Sequence, residues 1–291
     1  MKKTRLLSAL ATLLLASTVN GQTLQSWMSP EVQDAWNQGF KGQKVTIQLI
    51  DDFTSTTRYQ ANLGTGSLLK RHGEWTQLEA SMIAPSATMK AIDFNSATKV
   101  SLARGLNVLN LGYGMYGPNG LTNIAWDAQE SSIISYAKGG SAIVAKAAGN
   151  DAVAVGTPNS AGNVDYLARA LIGAPSTLIV GALTTNGTTT ARASLASNSN
   201  YAGSDPAVQA KFLVVGVEGA KTGLYGTSMA APIVSGYAAI LGSKFTTATP
   251  TQIANQLLNT ARTDTVSNYS VTIYGRGEAS IARALAPVSI K

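Results

Sequence analysis

The sequence predicts an α/β fold in three layers, with a mostly parallel central sheet flanked by helices. Three observations lead there. First, six short runs read as strands: Lys44 to Ile50, Thr88 to Ile92, Asn107 to Leu111, Ala142 to Ala147, Thr177 to Leu183 and Lys211 to Val217. Most are continuously apolar rather than alternating, the pattern of strands covered on both faces. Second, stretches with helical spacing alternate with them, His72 to Ile83, Asn123 to Ala137, Ser228 to Leu241 and Pro250 to Ala261, and such alternation favours a parallel sheet. Third, with 45% hydrophobic and 13% charged residues over 291 positions the chain can bury a sizeable core.

Taken in order, the chain opens with Met1-Lys2-Lys3-Thr4-Arg5, an apolar stretch from Leu6 to Ala16, and small or polar residues to Gln22. A basic start, short apolar centre and polar end describe a secretory signal over residues 1–21, cleaved near Gly21 or, alternatively, Ser17. The apolar stretch is short for a bilayer, and no later segment approaches the roughly 20 apolar residues a span requires. The mature chain is therefore expected to lack a membrane span and to be exported, with the periplasm and the extracellular space both open. Residues 22–291 are expected to form one domain. Thr184 to Asp205, rich in Thr, Ser, Asn, Gly and Ala, reads as loops and short surface strands rather than a linker, because the final helices complete the same alternation.

Composition narrows the function classes. The full chain carries +7; without the leader, 19 basic and 15 acidic residues remain and leave +4. That charge is too mild and dispersed to argue for nucleic acid. With no cysteine there is no disulfide, no thiolate metal site and no lipid-bearing cysteine. Nothing in the sequence bears on oligomeric state.

The chain contains one histidine, His72, and it lies between Asp51 and the Ser228 of Gly226-Thr227-Ser228-Met229-Ala230-Ala231-Pro232. The order Asp, His, Ser is one of the few in which a chain supplies an orienter, a base and a nucleophile. Asp51 ends a buried strand, at the edge where α/β proteins place their sites. Asp52 follows it, but neighbours on an extended chain point apart, so Asp52 reads as a solvated loop carboxylate. His72-Gly73 opens a helix, where an imidazole beside a carboxylate can act as a base near neutral pH. Glu74 reads as a first-turn acid favouring the helix amino end. Ser228 sits where a helix starts, so its N–H has no helical partner and is free to face an anion. Ala147-Ala148-Gly149-Asn150 follows a strand and ends in an amide that could donate to an oxyanion.

At these residues the chain resembles the subtilisin-like serine peptidases over nearly the whole mature length. Ala35-Trp36-Asn37-Gln38-Gly39 and Gly42-Gln43-Lys44-Val45 resemble that family's approach to its aspartate. Ile83-Ala84-Pro85-Ser86-Ala87 is similar to the segment after its histidine helix. Val108-Leu109-Asn110-Leu111-Gly112-Tyr113-Gly114 is similar to its substrate-binding strand, and Tyr274-Gly275-Arg276-Gly277 with Ala282 to Pro287 to its closing segment. The resemblance implies a polypeptide substrate, Asp51 as orienter, His72 as base, Ser228 as nucleophile, and an oxyanion hole of Asn150 and the Ser228 N–H. It also implies a specificity pocket lined by Gly112, Tyr113, Gly114, Ala147, Ala148 and Gly149.

Four departures stand out. Glu74-Trp75-Thr76-Gln77-Leu78 replaces the usual Thr-His-Val-Ala-Gly, which alters packing around the base. Asp52-Phe53 stands where Thr or Ser and Gly are common. The loop after the histidine helix lacks the segment that binds calcium in many relatives, so no metal or other cofactor is expected. Only about 20 residues lie between leader and domain, leaving no room for the usual propeptide. An apolar or bulky P1 side chain is expected, because nothing acidic lies in the pocket segments. The rival reading is a catalytically impaired domain that binds peptides or proteins, with the altered helix misplacing the base. An α/β-hydrolase esterase is disfavoured because no Gly-x-Ser-x-Gly surrounds Ser228.

Overall fold

A computed structural model of the protein describes residues 23–290, so the leader expected over residues 1–21 lies outside the described residues. The chain runs through α1 (Glu31–Asn37), β1 (Val45–Asp51), the hairpin β2 (Tyr59–Ala61) and β3 (Leu68–Lys70), α2 (His72–Ile83), β4 (Thr88–Asp93), β5 (Leu106–Leu111), β6 (Tyr116–Pro118) and α3 (Ala128–Gly139). It continues through β7 (Ile143–Ala147), β8 (Asn163–Asp165), α4 (Tyr166–Leu171), β9 (Thr177–Leu183), α5 (Pro206–Gln209), β10 (Phe212–Gly216), α6 (Gly219–Thr222), α7 (Thr227–Lys244), α8 (Pro250–Asn259), α9 (Val271–Tyr274) and α10 (Ile281–Leu285).

Six strands form one parallel sheet in the order β10-β9-β7-β5-β1-β4. Alternate residues of its central strands enter different cores, which is why these strands read as unbroken apolar runs. Leu49, Val108 and Ile143 face a core shared with α2, α7 and α8, while Ile50, Leu109 and Val144 face one shared with α3 and α4. Helices thus cover both faces, giving three layers. The sequence reading finds all six sheet strands to within about a residue or two at each end.

Strand order sets the location of the site. From β1 the chain adds β4 on one side and then returns to place β5 on the other. Between β1 and β5 the connections leave in opposite directions and open a crevice at the carboxyl ends of the strands, where α/β folds bind ligands. Asp51 ends β1 there, and Gly112 follows the end of β5, in a register that pairs Ile50 with Leu111.

α7 is buried on nearly every side, from Thr227 to Gly242, as expected of a central helix that is apolar all round. It lies against α2 through Gly236, where an added Cβ would collide with the Ile83 side chain. The remaining differences from the sequence reading have local causes. The helix expected over Asn123 to Ala137 starts only at Ala128, because the Asp127 carboxylate accepts the N–H groups of Gln129 and Glu130 and caps it there. Residues 184–205 carry isolated bridges, such as Leu195 with Leu183, rather than strands. Among the described residues no helix is long and apolar enough to cross a membrane.

Gly236→Ala should force Ile83 out of place and cost about 1–3 kcal/mol. Urea unfolding checks this as a lower midpoint at constant slope.

Candidate active site

His72 is the first residue of α2, and three side chains of the following turn hold it there. The Glu74 carboxylate accepts the Arg71 N–H at 2.7 Å, a capping contact that fixes the helix start. The Trp75 indole N–H donates to the Tyr59 carbonyl at 2.9 Å and ties β2 to the helix. The Thr76 hydroxyl shares its one proton between Asp51 Oδ2 at 3.2 Å and the Gly73 carbonyl at 3.1 Å. The departure Glu74-Trp75-Thr76 thus supplies a cap, a brace and a carboxylate partner. Gly73 is needed because a Cβ would meet the Asp52 carbonyl and the Phe53 ring.

Asp51, His72 and Ser228 form one hydrogen-bonded line. His72 Nδ1 lies 2.5 Å from Asp51 Oδ1 and Nε2 lies 2.8 Å from Ser228 Oγ. In the neutral imidazole the Nδ1–H donates to the carboxylate and the Ser228 hydroxyl donates to Nε2. Asp51 is 2% exposed, and its oxygens also accept the Asp52 N–H and the Thr76 hydroxyl, so the buried carboxylate is well satisfied. Asp52 turns away and accepts the N–H and hydroxyl of Ser55. Burial by itself would lower the His72 pKa, but the hydrogen bond to Asp51 and the charges of Asp51 and Asp52 outweigh it and hold the pKa above 6.5.

Ser228 lies in the first turn of α7, after Gly226 at φ +98°, a conformation that suits glycine. Helix geometry leaves the Ser228 N–H without an intrahelical acceptor. Pro232 has no N–H to offer the Ser228 carbonyl, which loosens this first turn. Asn150 approaches from the turn after β7. Its Oδ1 accepts the Thr227 N–H at 2.8 Å and the Thr227 hydroxyl at 3.1 Å, leaving the Nδ2 donors for the site. The Gly149 N–H donates to Thr227 Oγ1. Asn200 braces the same turn by accepting the Asp151 and Val153 N–H groups and donating to the Ala148 carbonyl.

Beside Ser228 lies a cavity of about 330 Å³. Gly112, Tyr113, Gly114, Ala147 and Gly149 line it, as read from the sequence. Ala148 does not: it is 1% exposed and packs in the core beneath β9 and β10, since neighbours along the chain face opposite ways. Asp151, just beyond the segments singled out in the sequence, also lines it, with Tyr116, Asn159, Asn163 and Lys146. Lys146 pairs at 2.8 Å with Asp165, and a Cβ on Gly114 would sit 2.8 Å from the same Asp165 oxygen. Gly112 is bounded on its other side by Asp51, whose Oδ2 occupies the place of a Cβ. A second cavity, of about 350 Å³, is lined by His72 and Ser228 together with Tyr59, Trp75, Leu224, Tyr225 and Met229.

Sequence reasoning gave no role to Thr76, Thr227 or Asn200. Thr227 stood inside the serine motif, and Thr76 faces Asp51 at a helical offset of four from His72, so both carried a usable signal. Asn200, in a polar loop far along the chain, carried none.

Comparison with known proteins places the chain in a family. The Subtilase family model matches residues 56–277, a span that includes His72, Asn150 and Ser228 and begins just after Asp51. The chain belongs to the subtilase family of serine proteases. Subtilisin E of Bacillus subtilis (strain 168) is 28% identical over 283 residues, covering 85% of this chain and 67% of that protein. Subtilisin of Bacillus pumilus is also 28% identical, with 85% of this chain and 93% of that protein covered. Among solved structures, the prenylagaramide maturation protease PagA superposes with a TM-score of 0.58 at 19% identity, covering 88% of this chain and 98% of that one.

Because His72 is the only histidine, its ring can be titrated by NMR without assignment. Its midpoint should lie above 6.5, and Asp51→Asn should lower it by removing the contacts that oppose burial. The raised value also means that the pair stabilises the fold fully below pH 6.5, a contribution lost as pH rises through the folded-state pKa. A wild-type midpoint below 6.5 would show burial prevailing.

Proposed function

We propose that this protein is an exported endopeptidase that hydrolyses peptide bonds through an acyl-enzyme on Ser228. The observation that carries this reading is the line from Asp51 through His72 to Ser228, closed at 2.5 and 2.8 Å. The same contacts argue against a domain whose altered helix misplaces the base.

In this reading Ser228 Oγ attacks the substrate carbonyl carbon while its proton passes to His72 Nε2. The developing oxyanion receives the Ser228 N–H and an Asn150 Nδ2 proton, donors that matter most once charge has formed; losing one such donor typically costs about 3–4 kcal/mol. His72 then gives its proton to the leaving amine, and water attacks the ester by the same route. Asp51 holds the imidazole with Nδ1–H toward it and stabilises the imidazolium. The substrate lies extended along Gly112, Tyr113 and Gly114, pairing main chain to main chain. The export signal in residues 1–21 supports a place outside the cytoplasm; amino-terminal sequencing of the exported protein should begin near residue 22.

Treatment with a fluorophosphonate should add one mass adduct to the wild type and none to Ser228→Ala or His72→Ala. Ser228→Ala should lower kcat on a peptide cleaved internally by about 10⁶-fold, the loss known for the serine of a subtilisin. Wild-type kcat/KM should rise with pH through the raised His72 pKa, since only the neutral ring accepts a proton. Near-normal turnover by Ser228→Ala, or a profile flat from about pH 5 to 8, would remove Ser228 or His72 from these roles.

A further inference from the structure

The cavity beside Ser228 has polar and charged residues in its lining as well as glycine and alanine. With the glycine and alanine wall, Tyr116, Asn159, Asn163 and Asp151 line it, and the Tyr116 hydroxyl lies close to Gly149. Asp151 accepts from Tyr116 at 3.1 Å and from Asn159 Nδ2 at 3.2 Å. Both are neutral donors, so they orient the carboxylate without cancelling its charge. Burial, with the charges of Asp165 and Asp151, pushes the Tyr116 hydroxyl up, so it stays protonated as a donor.

The other charges here cancel. Lys146 is 1% exposed, lies 2.8 Å from Asp165 Oδ2, and donates to the Ala147 carbonyl at 2.6 Å. Asp165 is further satisfied through Oδ1 by the N–H groups of Met115, Leu167 and Ala168. Lys146 and Asp165 therefore form a neutral unit locked to the backbone. The uncompensated charge left in the lining is the negative one on Asp151.

Resting on the proteolytic reading above, we propose that this cavity selects a basic P1 side chain, lysine or arginine, with Asp151 as its counter-ion. The alkyl stem would run along Gly112 to Gly114 and Ala147, and the cationic head would meet Asp151 beside the Tyr116 ring, whose face also favours a cation. Lys146, held back by Asp165, sets the depth limit. A P1 glutamate would meet Asp151 repulsively, and a P1 leucine would bring an apolar group against the Asp151 charge without pairing it.

The test is a peptide series identical except at P1, with Lys, Arg, Gln, Glu or Leu, cleaved by the wild type and by Asp151→Asn. For the wild type, kcat/KM for Lys or Arg should exceed that for Gln by about five- to tenfold, the scale of a hydrogen-bonded but solvent-accessible ion pair. Asp151→Asn should bring that ratio close to one. In the wild type, raising salt from about 0.05 to about 1 M should shrink the ratio as screening grows, a check that needs no variant to fold. If Glu is cleaved as well as or better than Lys, Lys146 reads the substrate and the proposal is overturned. It is equally overturned if Leu leads the series or the Lys to Gln ratio survives in Asp151→Asn. Cleavage without basic preference sinks this proposal alone, whereas no cleavage of any peptide sinks the proteolytic reading and this one with it.

Discussion

Ser228 and His72 are 156 residues apart in the chain and 2.8 Å apart in space, and the close approach of α7 to α2 is what joins them. That approach is possible because α7 presents Gly236 to Ile83 rather than a side chain. Each helix carries one partner in its first turn, so a shift between them would be read directly as a change in the Oγ to Nε2 distance. The burial of α7 from Thr227 to Gly242 makes such a shift costly, because it would disturb packing on all sides at once. The rigidity of the centre is thus a property of the core.

The sheet supplies the third member by different means. Asp51 stands where β1 and β5 part, a place that exists because the chain reverses its direction of strand addition there. A carboxylate in so buried a position needs partners, and it has them in His72, Thr76 and the Asp52 N–H. Satisfied in this way it acts on the imidazole as a fixed charge. Of these contacts, the hydrogen bond with His72 is the one that, with the charges of Asp51 and Asp52, raises the His72 pKa against its burial.

Much of this was readable from the residues, for identifiable reasons. Strands buried on both faces leave unbroken apolar runs, so β1, β5, β7 and β9 were plain, and the end of β1 separated Asp51 from Asp52 by the alternation of an extended chain. The start of α7 was legible because glycine, a small hydroxyl and alanines in sequence suit a tight turn into a packed helix. The hairpin of β2 and β3 was not, since it is short and exposed and leaves no periodicity. The charges of the cavity escaped for another reason. Lys146 sits in an apolar strand where a lone lysine resembles an edge residue, and its partner Asp165 comes from β8, many residues on. Ion pairs of this kind belong to the tertiary structure. Thr76 was visible but was read as disrupted packing, where the fold uses it as a partner for Asp51.

Gly112 touches two functions with one backbone. On one side its missing side chain makes room for Asp51, and on the other it belongs to the wall of the cavity beside Ser228. The wall that would align a bound chain and the carboxylate that steers the imidazole are separated by a single peptide's thickness, with no soft side chain to absorb displacement between them. Alignment and steering are in that sense one mechanical part, and a change of residue there would be felt in turnover before it was felt in grip.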